Sequence, residues 1–78
     1  MSRYYNDEEK ITFDEADWYV SDFIIRFSDR RSVISVDEVA RENSIETSRH
    51  NMIRLTEALD DRLRRVDNGN STKTRYYL

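Results

Sequence analysis

Little of the usual equipment of catalysis is present in this sequence. It holds no cysteine and a single histidine, His50, so neither a thiolate centre nor a site built on several imidazoles can be assembled. The carboxylate pairs Asp14-Glu15, Asp37-Glu38 and Asp60-Asp61 are adjacent in sequence. On a helix such neighbours diverge, because residues three and four apart share a face. They make poor acid-base or metal dyads, and His50 has no second acid or base at a recognisable spacing. A glycine-rich phosphate loop is also missing, since the one glycine is Gly69. The chain reads as a protein that is not an enzyme, needs no cofactor or metal, and works by contact. The side chains best suited to contact are cationic and late: Arg62, Arg64, Arg65, Lys73 and Arg75 face Asp67 alone across residues 62–78, a local +4.

That local excess sits on an acidic whole. The net charge of −3 is a mild argument against nucleic acid, because phosphate contacts usually leave a basic surplus. The distribution argues the other way. Residues 1–18 carry −4, residues 19–45 carry −1 and residues 46–78 carry +2, so the chain is polarised from an acidic start to a basic end. Seventy-eight residues make one domain, near the lower size at which a hydrophobic core suffices without staples. The longest apolar run, Phe23-Ile24-Ile25, is far below the roughly 20 residues that cross a bilayer. With no apolar leader segment in MSRYYNDEEK, a soluble cytoplasmic protein with no membrane contact is the expectation.

The elements that must position the cations follow from caps and periodicity. Residues 1–10, with Asp7, Glu8 and Glu9 in a run, read as a flexible acidic arm, either solvated or folded over the basic end. The domain proper is 11–78. Thr12 with Glu15 three residues later forms a capping box and predicts a first helix to about Ser28. Phe13, Ala16, Tyr19 or Val20, Phe23, Ile24 and Phe27 make its inner face. Trp18 and Ile25, seven apart, fall off that face and read equally as a homodimer contact or as packing under the arm. Ser32-Val33-Ile34 suits a short strand. Ser35 and Glu38 form a second capping box for a helix ending near Glu42, with Val36, Val39 and Ala40 inward. In the turn Asn43-Ser44-Ile45, Asn43 suits a left-handed conformation and Ile45 plugs the helix crossing. A third helix from Glu46 or Thr47 to about Asp61 puts Met52, Leu55 or Thr56 and Leu59 on the core, with Ile53 and Leu63 as further candidates. It exposes Thr47, Ser48, Arg49, His50, Asn51 and Arg54. Strands at Leu63–Val66 and Thr72–Leu78, joined through Asp67-Asn68-Gly69-Asn70-Ser71, predict a terminal hairpin.

Val36-Asp37-Glu38-Val39-Ala40, Asn43-Ser44-Ile45, Thr47-Ser48-Arg49-His50, Leu55-Thr56-Glu57-Ala58-Leu59, Leu63-Arg64-Arg65-Val66 and Arg75-Tyr76-Tyr77-Leu78 together resemble the winged helix-turn-helix superfamily. The style is that of small prokaryotic or viral MarR-like or ArsR-like DNA-binding regulators. The resemblance implies an α+β fold of three helices with a C-terminal β-hairpin wing and a short strand at 32–34. Two features depart from the family: Ser44 stands where its turn usually carries glycine, and helix three ends in Asp60-Asp61-Arg62 beside the hairpin root, where carboxylates repel phosphate.

The same resemblance implies a transcriptional regulator, a repressor by occupancy, that binds double-stranded DNA with helix three in the major groove. Arg49 or Arg54 would fork onto guanine, Asn51 onto adenine, and Thr47 or Ser48 onto phosphate, with His50 a surface contact or a partly buried polar residue. Arg64, Arg65, Lys73 and Arg75 on the wing would hold the backbone or the minor groove. A rival reading from the acidic balance is a winged-helix protein-interaction module, or a small viral or plasmid-type inhibitor, that acts through an acidic surface.

Overall fold

The computed structural model describes residues 10–66 and 74–78. The acidic arm up to Glu9, and the hairpin tip together with Thr72 and Lys73, lie outside the described residues.

Helix α1 (Phe13–Phe27) begins where its capping box sets it. The Thr12 hydroxyl accepts from the Glu15 amide at 3.0 Å while Glu15 Oε1 accepts from the Thr12 amide at 2.8 Å. A cap of this kind contributes about 1 kcal/mol. Asp14 and Glu15 in the first turn and Arg26 in the last complement the helix dipole. Ala16, Val20 and Phe23 are buried, and Phe27 packs against Phe23 with ring centroids 4.5 Å apart. Phe13 departs from the expected inner face. It stays 60% exposed, and its ring is covered by the Arg54 guanidinium at 3.7 Å rather than by the core.

Strand β1 (Val33–Ser35) runs directly into helix α2 (Val36–Glu42), so the strand lies one residue later than expected. Ser35 ends one element and caps the next: its hydroxyl accepts from the Glu38 amide, and Glu38 Oε1 accepts from the Ser35 amide at 3.0 Å. The turn after α2 closes as a Schellman motif, with the Ile45 amide on the Ala40 carbonyl at 2.8 Å and the Ser44 amide on Arg41 at 3.2 Å. Ser44, not Asn43, takes the left-handed conformation (φ 57°), at the position where glycine would be free of steric cost. Asn43 instead donates from Nδ2 to the Val39 carbonyl at 2.9 Å.

Helix α3 (Arg49–Arg62) starts later than Glu46 or Thr47, because the Ser48 hydroxyl captures the Asn51 amide and becomes the N-cap. Met52, Leu55, Ala58 and Leu59 are buried, whereas Ile53 is 46% exposed. Strand β2 (Arg75–Tyr77) pairs antiparallel with β1 in the register Val33 to Tyr77, Ile34 to Tyr76 and Ser35 to Arg75. On its other edge Arg65 bridges to Tyr76, the Val66 amide donates to Arg75 and the Tyr77 amide donates to Arg64, both at 2.9 Å. β2 is thus central, and the stretch 64–66 pairs with it as the hairpin expectation requires. Ile34 and Tyr76, both fully buried, close the core from the sheet side.

The described residues form a small α+β domain of three helices and a two-stranded antiparallel sheet. The arrangement is compatible with a winged helix. Among them, no helix is long and apolar enough to cross a membrane.

Candidate nucleic-acid interface

The three helix starts differ in charge. α1 and α2 each carry two carboxylates in the first turn, Asp14 and Glu15 or Asp37 and Glu38. The first turn of α3, Arg49-His50-Asn51, carries none. Its amides and dipole therefore have no internal anion, which makes this end attractive to an external one. Thr47 and Arg49 are exposed here, and Arg49 has no ion pair among the described residues.

Asn51 does not share that exposure. Its side chain is fully buried, accepting from the Ile11 amide at 2.9 Å and donating to the Glu46 carbonyl at 3.0 Å. His50 lies beside it, with Nε2 3.0 Å from the Ile11 carbonyl. A carbonyl only accepts, so Nε2 carries the hydrogen. Two consecutive side chains of α3 thus satisfy both backbone groups of Ile11, which would otherwise be buried without partners. The adenine role expected for Asn51 is withdrawn on this geometry, because reaching a base edge would strip Ile11 and Glu46 of their bonds. Ser48 is likewise engaged as the N-cap.

Arg54 turns back onto Phe13 and pairs with Glu57 at 3.3 Å, so it serves the α1–α3 seam rather than an outer face. Arg62 crosses to Asp17 on α1 at 2.8 Å. Arg65 forks onto Asp60, Nε to Oδ1 and Nη2 to Oδ2, both at 2.9 Å, and the Tyr76 hydroxyl donates to the same carboxylate at 2.8 Å. The Arg65 hydrogen bonds, aided by Tyr76, hold the Asp60 carboxyl below its usual range. The Asp60 carboxylate in turn raises Arg65. Burial, then the Asp60 hydrogen bond, push Tyr76 up to about 12. Asp60 is therefore not a bare charge beside the sheet: it is neutralised in place. The signal was the five-residue step from Asp60 to Arg65 across a helix end, which sequence periodicity does not interpret.

Strand alternation sorts the remaining cations of the sheet. Ile34, Tyr76 and Arg65 share the inner side of the sheet, so Arg64, Arg75 and the half-exposed Tyr77 share the outer side. Arg64 has no side-chain partner among the described residues, and Arg75 is exposed. Lys73 lies outside them. The ten residues expected on DNA divide accordingly. Thr47, Arg49, Arg64 and Arg75 are exposed; Ser48, His50, Asn51, Arg54 and Arg65 are drawn at least partly into the fold's own contacts.

Between α1 and α3 lies a groove of about 540 Å³ lined by Phe13, Asp14, Asp17, Arg54, Glu57, Asp60 and Asp61. No three His, Asp or Glu side chains among the described residues come together as a metal site. No family model, curated protein or solved structure matches the chain. Its functional reading therefore rests on its own geometry.

Proposed function

We propose that this chain is a winged-helix protein that binds double-stranded DNA and regulates transcription by occupying its site. One observation carries the reading: the first turn of α3, the second helix of the helix-turn-helix, lacks the carboxylates that open α1 and α2 and presents Arg49 instead. Arg49 and Thr47 approach the major groove, Arg49 toward a guanine edge. Arg64 and Arg75 on the outer side of the sheet, with Lys73, hold phosphate. Reduced to these residues, the contact set is small, and affinity comes mostly from the backbone and falls with salt.

Gel shift on random and on selected duplexes, at low and at moderate salt, tests the proposal. Retardation that weakens with salt supports it. No retardation of any duplex at low salt would transfer the fold to the rival reading, a protein-interaction module.

A further inference from the structure

The outer ridge of α1 carries two large apolar side chains that the fold leaves in water, Trp18 at 61% and Ile25 at 77% exposed. Seven residues apart, they stand one above the other, roughly 10 Å along the axis. They face away from the buried Ala16, Val20 and Phe23. Around them the surface is acidic: Asp14 and Glu15 precede Trp18, Asp22 lies between the two, and Asp29 follows Ile25. Arg26 pairs with Asp22 at 2.8 Å and donates to Asn43 at 3.1 Å, which leaves Asp14 and Asp29 as the flanking carboxylates without an ion pair among the described residues. Asp14 also lines the groove between α1 and α3, where Asp61 is exposed while Asp17, Glu57 and Asp60 are paired with Arg62, Arg54 and Arg65.

A second copy of the chain fits this ridge badly. An antiparallel pairing of two α1 helices that sets Trp18 against Ile25 carries Asp14 of each copy toward Asp29 of the other. A parallel pairing stacks Asp14 on Asp14 and Asp22 on Asp22. Like charges juxtaposed at an interface oppose association.

Apolar anchors with a carboxylate at each end, Asp14 and Asp29, instead match a segment with apolar residues at helical spacing and Lys or Arg around them. We infer that the outer ridge of α1 is the docking site for a basic amphipathic helix of a partner protein, with Trp18 and Ile25 as anchors. This surface lies on a different helix from Arg49 and does not depend on DNA binding.

Trp18 is the only tryptophan and reports directly on the ridge. The full chain is titrated with a short amphipathic Leu–Lys peptide and with its Leu–Glu counterpart. The Leu–Lys peptide shifts Trp18 emission to the blue, saturably and less strongly as salt is added; the Leu–Glu peptide leaves it unchanged. Ile25→Glu, at a site already in water, weakens the Leu–Lys response about tenfold or more. Asp14→Lys with Asp29→Lys abolishes its salt dependence. In both variants circular dichroism and duplex binding match the wild type. The inference is overturned by an absent Leu–Lys shift, by equal response to both peptides, or by full response in the Ile25→Glu variant. It is also overturned if the wild type sediments as a dimer that Ile25→Glu dissociates. Failure to bind duplex would sink the DNA proposal and leave this one standing.

Discussion

The first turn of α3 and the outer ridge of α1 invert the usual association of polarity with surface and function. In the turn, polar Asn51 is sealed inside and holds the backbone of Ile11, while Arg49, two residues before it, is exposed and has no ion pair among the described residues. On the ridge, Trp18 and Ile25 stand in water among carboxylates. Residue type alone would have exposed the asparagine and buried the tryptophan. What decides is the accounting of backbone bonds: a buried peptide group must find a partner, and a side chain that supplies one is drawn inside.

The comparison can be broken most sharply at Asn51. Asn51→Ala leaves the Ile11 amide and Glu46 carbonyl without their partner and is expected to lower stability by about 2–3 kcal/mol. Trp18→Ala, at an exposed site, should stay within about 0.5 kcal/mol of wild type. Urea unfolding of the two variants checks the pair, and equal losses would erase the contrast. Arg49→Ala should leave unfolding unchanged yet weaken duplex binding by about 1–3 kcal/mol and relax base preference. Undiminished discrimination between duplexes would remove Arg49 from base reading.

A smaller effect is expected at the turn that sets α2 against α3. Ser44→Gly relieves a left-handed serine and should raise stability by up to about 1 kcal/mol, read as a higher urea midpoint. A lower midpoint would mean that the glycine's added freedom in the unfolded chain outweighs that relief.

The smallest effect belongs to Asp60, which is partly exposed and screened by water. Its folded pKa is depressed, so its stabilising contribution is present above the unfolded value and lost as pH falls through the folded one. The thermal midpoint of wild type should exceed that of Asp60→Asn at neutral pH, and the gap should close below about pH 4. Tyr76 works in the opposite sense. Its raised value favours the fold below the unfolded value near pH 10, and that contribution is lost as pH rises through about 12. Tyr76→Phe should lack this alkaline loss.

Where the information was local, the sequence was readable. Both capping boxes, the extent of α1 and α2, and the burial of Phe23, Val39 and Leu55 follow from spacing over three or four residues. The pairing of 64–66 with 75–77 followed from turn chemistry around Gly69. What stayed hidden depends on contacts between distant segments. Nothing near Asn51 announces that Ile11, forty positions away, will need both its backbone groups satisfied. Phe13 lost its core place because Arg54 on another helix covers it instead. The start of α3 shifted because Ser48 competed with Glu46 and Thr47 for the cap, a contest between near-equal local choices.

The central position of β2 also has a bearing on when this protein folds. The three helices are complete by Arg62, but the strand that joins β1 to the 64–66 stretch is drawn from residues 75–77. Until it arrives, Ile34 lacks its sheet partner and the site of Tyr76 stands empty. Closing a loop of some forty residues between β1 and β2 makes the sheet the most non-local contact of the fold and its expected slow step. Helices this short are marginal alone, so their stability is tied to a strand that contributes only three residues and fills the core with one buried ring, Tyr76.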